Sequence, residues 1–275
     1  MPSVKLALAQ MLVRPGEAAS NVDRALDAIA RAARERAQIV LLPEALDFGW
    51  THPHLGDQVQ PVPEGAFFRA LAAAARKARV YVCAGLTEAD EDSHYNTAVL
   101  IDPEGRLLLK HRKLNELEIG HACYGQGAKL ETVRTPLGTL GVMICADAFA
   151  PGQVLSRALG YMGAELILSP CAWAVPSDHD NQREPYGALW RENYGPVARD
   201  FRLWIAGVSS VGPITAGPWQ GRRCIGCSLL VNPQGEVAWQ GEYGESAEVL
   251  QVAEVEIEPR PTRGDGWNQR WHGSV

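Results

Sequence analysis

The chain lacks the features that mark membrane, secreted and multidomain proteins. No apolar run approaches the ~20 consecutive residues that a membrane-spanning helix requires. Residues 1–10 contain no charged segment followed by a long apolar stretch and a cleavage site, so they do not indicate a signal peptide. No linker rich in glycine, serine or proline divides the chain. We therefore expect a cytoplasmic protein with one principal domain and no membrane association.

Excess positive charge is also missing. The 275 residues carry 26 Lys and Arg against 32 Asp and Glu, a net charge of -6, and the densest basic cluster is the short segment 110–113. A surface that binds nucleic acid needs clustered positive charge, so no nucleic-acid partner is expected. Hydrophobic residues make up 46% of the chain, and this length can form a large core in one α/β domain.

Six cysteines in a chain of this size do not indicate a disulfide scaffold. Cys224 and Cys227 form a CxxC pair, which is a weak zinc signal without a second pair or spaced histidines. Cys227 begins the apolar run 227–231, which favours a packing role, while a metal or redox role stays an alternative. No metal is predicted.

Hydrophobic periodicity predicts helix–strand units that alternate with strand hairpins. Residues 4–10 alternate as a strand, and a helix follows with Ser20 or Asn21 as its N-cap. Two hairpins, around the Asx-Pro-x-Gly turns 102–105 and 232–235, fall in the two halves of the chain. This repetition predicts an internally pseudo-symmetric four-layer α/β sandwich, with helices outside and two sheets inside.

The domain boundary and the remaining elements follow from the same patterns. Residues 1–258 form the predicted domain, and 259–275 form an irregular tail that is either docked on a partner subunit or disordered. A helix break is expected near Gly195 and Pro196. The pattern predicts strands at 38–43, 79–85, 139–145, 164–169, 203–211 and 249–257, and helices at 67–75, 151–162 and 186–200.

Three chemically active side chains follow predicted strands. Glu44 comes directly after the strand that ends at Pro43. Lys113 follows the second strand of the first hairpin, and Cys145 ends the strand 139–145. Strand ends open onto the ligand site in α/β proteins, so these side chains are candidates for one site. Taken alone, each also fits a simpler role, as an exposed carboxylate, a solvated base or a packed thiol.

The three groups have complementary chemistry. Partial desolvation would raise the pKa of Glu44 towards the range of a general base. A neighbouring Lys113 would lower the pKa of the Cys145 thiol and stabilise an oxyanion. Cys145 could then attack a carbonyl or nitrile carbon to form a covalent intermediate, with the N–H of Ala146 as a second oxyanion donor.

The motifs around these residues resemble those of the nitrilase superfamily of carbon–nitrogen hydrolases. The resemblance covers residues 4–257 and implies an αββα sandwich, a reaction without metal or organic cofactor, and assembly into homodimers or larger homo-oligomers. It also implies that Glu44 is the general base, Lys113 the oxyanion stabiliser and Cys145 the nucleophile. The three central motifs, in the family's order and spacing, are LLPEA at 41–45, HRKL at 111–114 and GVMICAD at 141–147, with further landmarks at 4–10, 168–173 and 228–235.

The chain departs from the family pattern beside the lysine and the cysteine. Gly120 stands where many members carry a second glutamate, and Glu118 is expected to replace it, with Glu116 as the alternative. Many members have a histidine where this chain has Asn115, and an aromatic residue where it has Ala146. These departures put the substrate in question rather than the reaction class.

We therefore expect a thiol hydrolase that cleaves a non-peptide C–N bond in a carboxamide or N-carbamoyl group of a small molecule. Ala146, Phe149 and Trp173 are expected to contact the substrate, and residues 190–194 to add pocket wall, although aromatic residues also pack in cores. Three alternatives use the same fold: a nitrilase, an acyltransferase that passes the thioester to an amine, and a non-enzymatic binding protein. A membrane-bound acyltransferase is disfavoured by the lack of transmembrane segments.

Overall fold

Two six-stranded sheets and four α-helices account for most of the structure, a computed structural model that describes residues 3–53 and 58–258. The helices are α1 (Ala18–Arg34), α2 (Ala66–Ala78), α3 (Val154–Tyr161) and α4 (Ala188–Phe201). The strands are β1 (Ser3–Gln10), β2 (Ile39–Leu41), β3 (Tyr81–Asp90), β4 (Ser93–Ile101), β5 (Leu107–Arg112), β6 (Thr132–Thr135), β7 (Gly138–Val142), β8 (Leu166–Cys171), β9 (Ala174–Val175), β10 (Trp204–Ser209), β11 (Val211–Pro213), β12 (Arg223–Ile225), β13 (Leu229–Val231), β14 (Val237–Gln240) and β15 (Val249–Glu256).

The two large sheets share one topology. The first has the order β15-β1-β2-β3-β4-β5, in which β1, β2 and β3 are parallel. The second has the order β14-β13-β10-β8-β7-β6, in which β7, β8 and β10 are parallel. Antiparallel strands flank both centres, and the pairs β4–β5 and β13–β14 confirm the two predicted hairpins. The predicted repetition of the two halves is therefore present in the fold.

The sheets pack face to face between layers of helices. Leu6 and Leu8 of β1 lie in one buried cluster with Leu140 and Leu168 of the second sheet. Because side chains alternate across a strand, the intervening Ala7 faces the other way and packs in the cluster formed with α1 and α2. Helices α3 and α4 pack with the second sheet. This arrangement confirms the four-layer αββα sandwich.

The expected N-cap of α1 is wrong. The helix begins at Ala18 with Glu17 before it, so both Ser20 and Asn21 lie inside the first turn. Asn21 is fully buried, and its Nδ2 donates to the carbonyl oxygens of Arg14 at 2.7 Å and Asp47 at 2.8 Å. Its side chain thus ties the loop before α1 to the loop after β2, which carries Glu44, rather than capping the helix.

The expected break in α4 is also wrong. The helix continues through Pro196 from Ala188 to Phe201. Pro196 removes one backbone donor, but Tyr194 and Val197 on either side are fully buried in the core. Tertiary packing of the apolar face therefore outweighs the local helix-breaking preference of proline.

Three further expectations concern the Cys224–Cys227 pair, membrane-spanning helices and the C-terminal tail. Cys224 and Cys227 are buried free thiols, and within the described residues no group of three or more His, Cys, Asp and Glu side chains could hold a metal ion. None of the helices in residues 3–53 and 58–258 has the length and apolarity to cross a bilayer. The predicted tail, 259–275, lies outside the described residues.

Candidate active site

Glu44 lies in the loop that follows β2, where the two sheets meet. Its backbone N–H donates to the carbonyl of Cys171, the last residue of β8, at 3.2 Å. On the other side Gly85 of β3 comes so close that a Cβ there would lie 2.5 Å from the Glu44 Cα. Only a glycine allows this approach. The side chain of Glu44 is 1% exposed, so its carboxylate is held in a fixed, dry position.

Lys113 directly follows β5 and forms the centre of a buried ionic cluster. Its Nζ lies 2.8 Å from Oε1 of Glu44 and 2.9 Å from Oε1 of Glu116. Nδ2 of Asn96, on β4, donates to Oε1 of Glu44 at 2.7 Å and to Oε2 of Glu116 at 3.1 Å. We call these four residues the carboxylate–lysine cluster. The two donors join two buried carboxylates that would otherwise repel each other.

Glu116, rather than the expected Glu118, supplies the second carboxylate. Glu118 is exposed on the short 3₁₀ turn Glu118–Gly120. A Cβ on Gly120 would lie 2.7 Å from Cγ of Glu116, so the Glu116 side chain fills the space that a residue at 120 would need. Oε1 of Glu116 also accepts the N–H of Leu117 at 2.9 Å, which fixes the carboxylate towards Lys113.

Cys145 does not end a strand, as the sequence predicted, but begins the 3₁₀ turn Cys145–Phe149. Strand β7 stops at Val142, and Cys145 has a φ of +42°, in the left-handed region that non-glycine residues rarely adopt. The backbone N–H of Cys145 donates to Oγ of Ser169 on β8 at 3.2 Å. The strained turn is thus held from the neighbouring strand, and it directs the thiol into the cavity shared with Glu44 and Lys113.

Asp147 connects the cysteine turn to the segment that carries Lys113. Its Oδ2 accepts the N–H of Ile144 at 2.8 Å and lies 2.7 Å from Nε2 of His111. Its Oδ1 accepts the N–H groups of Leu114 at 3.0 Å and Asn115 at 2.7 Å. Burial raises the pKa of Asp147, but His111 and the N–H groups of Ile144 and Asn115 lower it by more, so the net pKa lies below its ordinary value. Asp147 therefore fixes the separation of the nucleophile and the lysine.

The cavity in front of these groups has a volume of about 290 Å³ and largely aromatic sides. All three expected contact residues, Ala146, Phe149 and Trp173, line it. Trp173 stacks on Trp190 with ring centroids 4.4 Å apart and an interplanar angle of 20°. We call the ring-bearing lining residues the aromatic wall, namely Trp50, Phe149, Trp173, Tyr186, Trp190 and Trp219.

Burial and charge set the protonation states at the site. Burial raises the pKa of Glu44, against the opposing effect of Lys113. Burial lowers the pKa of Lys113, but the charges of Glu44 and Glu116 raise it more, and the net pKa is well above its ordinary value. Burial also raises the pKa of Cys145, aided by a hydrogen bond with Cys171 and by the charge of Glu44. Lys113 lowers the thiol pKa, as expected, but burial, Cys171 and Glu44 outweigh it, so the net pKa of Cys145 lies well above its ordinary value.

A family model of carbon–nitrogen hydrolases matches residues 5–259, nearly the whole chain. The chain belongs to the carbon–nitrogen hydrolase family. This result confirms the resemblance to the nitrilase superfamily and makes the protein an enzyme that acts on carbon–nitrogen bonds, which removes the non-enzymatic alternative.

Relatives of this family match along most of their length. A nitrilase of Pyrococcus abyssi (strain GE5 / Orsay) is 31% identical over 259 residues, which cover 92% of this chain and 90% of that protein. An (R)-stereoselective amidase of Pseudomonas sp. is 28% identical and covers 90% of this chain and 85% of its own. A mutant amidase of Nesterenkonia sp. AN1, with the acetamide moiety of fluoroacetamide added covalently to its active-site cysteine, has a TM-score of 0.76 at 25% identity and covers 92% of this chain and 90% of that chain.

Sequence analysis of this carbon–nitrogen hydrolase missed several residues of the site. Asn96 lies in a strand whose pattern indicated no chemistry, and Trp50 and Trp219 come from loops without periodicity. Glu116, the alternative to Glu118 in the sequence analysis, reaches Lys113 although residues 113–116 form no helical turn. No sequence signal distinguished Asn96 from other strand polar residues.

Proposed function

We propose that the protein is a thiol amidohydrolase, with Cys145 as nucleophile, Glu44 as general base and Lys113 as oxyanion stabiliser, that cleaves a carboxamide or N-carbamoyl group. One observation carries this proposal. The Lys113 ammonium is 2.8 Å from the Glu44 carboxylate, in a buried cluster that lines the same cavity as the Cys145 thiol. Acid–base, electrostatic and nucleophilic groups therefore converge on one reacting carbon.

The proton affinities of Glu44, Lys113 and Cys145 assign each of them a step in the reaction. Glu44 accepts the proton of the Cys145 thiol as sulfur attacks the carbonyl carbon, so the thiolate forms only as the C–S bond does. The negative charge that develops on the carbonyl oxygen lies beside the Lys113 ammonium and the N–H of Ala146. Glu44 returns the proton to the leaving nitrogen, which departs as ammonia or an amine. Water, deprotonated by Glu44, then opens the thioester, releases the acid and regenerates the thiol.

Glu116 has a supporting role in this scheme. Its carboxylate 2.9 Å from Nζ keeps Lys113 charged and fixes its position while Glu44 changes protonation state. We class Glu116 and Asn96 as positioning residues, since their contacts within the cluster go to Lys113 and Glu44.

A nitrilase activity is the second candidate, favoured by the 31% identity to the Pyrococcus abyssi protein that bears that name. The same thiol would add to the nitrile carbon to form a thioimidate, which two water molecules convert to the acid and ammonia. The two candidates need different substrates but the same residues.

Intact-protein mass spectrometry tests both candidates. The protein is incubated with amides, carbamoyl compounds and nitriles, and the mass of a trapped acyl or imidate adduct identifies the substrate group. We expect an adduct on wild type and on Cys123→Ala, which removes a half-buried thiol, and none on Cys145→Ala. Turnover by Cys145→Ala at the wild-type rate would refute the proposal. Because the resting pKa of Cys145 is raised, iodoacetamide should label it faster as the pH rises above 9.

The expected homodimer or larger assembly and the cytoplasmic location stay predictions.

A further inference from the structure

The distribution of charge around the cavity limits the substrates that fit it. Among the described residues that line the cavity, Glu44 and Lys113 are the charged ones, and they are paired with each other. Glu116 lies directly behind Lys113 at 2.9 Å, so two buried carboxylates surround one ammonium. Lys113, which faces the developing oxyanion in the proposed scheme, is therefore not available to pair with a second acidic group on the substrate.

The rest of the cavity lining consists mainly of aromatic and aliphatic side chains. Trp173 and Trp190 present a stacked pair, and Phe149 lies with its ring centroid 5.4 Å from that of Trp190. Trp50 and Trp219 form a second pair, edge to face at 5.0 Å, from a different part of the chain. Rings of this kind favour planar apolar groups through offset-stacked and edge-to-face contacts.

Two indole N–H groups of the wall, Nε1 of Trp50 and Nε1 of Trp173, are buried without a hydrogen-bond partner among the described residues, but they are neutral donors. Nε1 of Trp190 donates to the hydroxyl of Tyr186 at 2.9 Å, so each satisfies the other. Burial raises the pKa of the Tyr186 hydroxyl, which therefore stays neutral. The guanidinium of Arg222 lies over the Trp219 ring, 4.3 Å from its centroid, but is not among the residues that line the cavity. A carboxylate held against the Trp173–Trp190 pair would lose its hydration without gaining an ionic partner among the described lining residues, which is costly.

We propose that the substrate is an uncharged amide whose acyl group carries one small planar apolar group, such as a single aromatic ring, and that amides with a carboxylate on the acyl side are excluded. This inference rests on the proposed function and narrows it. It excludes half-amides of dicarboxylic acids and N-carbamoyl amino acids. A volume of about 290 Å³ is at the small end of ligand pockets, which favours a single ring over a peptide.

Two matched substrate pairs test the inference on the wild-type enzyme. Succinamate and 4-oxopentanamide have nearly the same shape, but only the former carries a carboxylate. Phenylacetamide and acetamide differ by one ring. We expect kcat/KM to be at least about tenfold higher for 4-oxopentanamide than for succinamate, and at least about tenfold higher for phenylacetamide than for acetamide, because burying a ring contributes more than 1.4 kcal/mol.

Two variants test the residues responsible. Trp219→Ala removes a half-buried ring of the wall and should lower kcat/KM for phenylacetamide at least about fivefold more than kcat/KM for acetamide. Leu189 lines the cavity and is 48% exposed, so Leu189→Arg can be accommodated at its mouth. It should raise the ratio of succinamate to 4-oxopentanamide activity at least about fivefold. Val237→Arg adds the same charge to an exposed residue, 40% exposed, outside the cavity lining and should leave that ratio unchanged.

Failures of the two proposals are distinguishable. If amides are hydrolysed but succinamate is equal to or better than 4-oxopentanamide, or acetamide equals phenylacetamide, the substrate inference is wrong and the amidohydrolase stands. If no amide is hydrolysed and no adduct forms on Cys145, the proposed function is wrong and the substrate inference with it.

Discussion

The carboxylate–lysine cluster and the aromatic wall enclose the same cavity but are built by different rules. In the cluster, Nζ of Lys113 has two carboxylate partners within 2.9 Å, and Asn96 donates to the same two carboxylates. In the wall, the centroids of neighbouring rings lie 4.4–6.2 Å apart, and the rings are held together by shape and by burial of apolar surface. Removing one partner of a buried charge pair leaves the other charge uncompensated, which is strongly destabilising. Removing one ring from an apolar surface costs only the contacts of that ring. We therefore expect the cluster to govern the reaction and the wall to govern the choice of substrate.

The largest effect should follow from removing the charge at the centre of the cluster. Lys113→Ala leaves Glu44 and Glu116 facing each other and removes an oxyanion donor, so we expect kcat to fall by about 10²–10³-fold or more. Steady-state kinetics on the best amide substrate measure it. Lys110→Ala, a half-buried lysine on β5, is the control, and its kcat should stay near that of wild type. If the kcat of Lys113→Ala is within about threefold of wild type, the carboxylate–lysine cluster does not take part in catalysis.

A smaller effect should distinguish the two candidate glutamates. Glu116→Gln keeps the shape of the side chain but removes the charge beside Lys113, and a misplaced or less strongly held ammonium should lower kcat by about 10–10²-fold. Glu118→Gln changes an exposed side chain two residues away and should behave as wild type. KM should change less than kcat in Glu116→Gln, because a positioning residue does not contact the substrate. If Glu118→Gln lowers kcat and Glu116→Gln does not, then Glu118 is the second carboxylate of the site.

The smallest effect should come from a conservative change in the wall. Trp190→Phe keeps an aromatic ring against Trp173 but loses the hydrogen bond to Tyr186, so we expect a loss of about 1–2 kcal/mol in the free energy of unfolding. Urea denaturation measures this loss. The kcat on acetamide should stay within about fivefold of wild type, because the lost hydrogen bond lies within the wall and not among the reacting groups. A loss as large as that of Lys113→Ala would show that the wall takes part in the chemistry.

Hydrophobic periodicity and turn motifs in the sequence correctly predicted much of the fold. The alternation in β1 and β15, the two Asx-Pro-x-Gly hairpins and the apolar face of α2 all correspond to elements of the structure. These signals work because period-2 and period-3.6 patterns depend on neighbouring residues alone. The exceptions were decided elsewhere: packing in the core keeps α4 helical through Pro196, and contacts with Arg14 and Asp47 remove Asn21 from the helix cap.

The same division applies to the site. The sequence by itself determined the family and the kind of bond on which it acts, because the motifs around Glu44, Lys113 and Cys145 resemble those of the carbon–nitrogen hydrolases in order and spacing. Tertiary structure decided the rest: that Glu116 rather than Glu118 reaches Lys113, that Cys145 has a left-handed φ at the start of a 3₁₀ turn held by Ser169, that burial raises the pKa of its thiol, and that six aromatic residues line the cavity. Each of these depends on how far a side chain reaches across space and how deeply it is buried, and both quantities are set by residues distant in the chain.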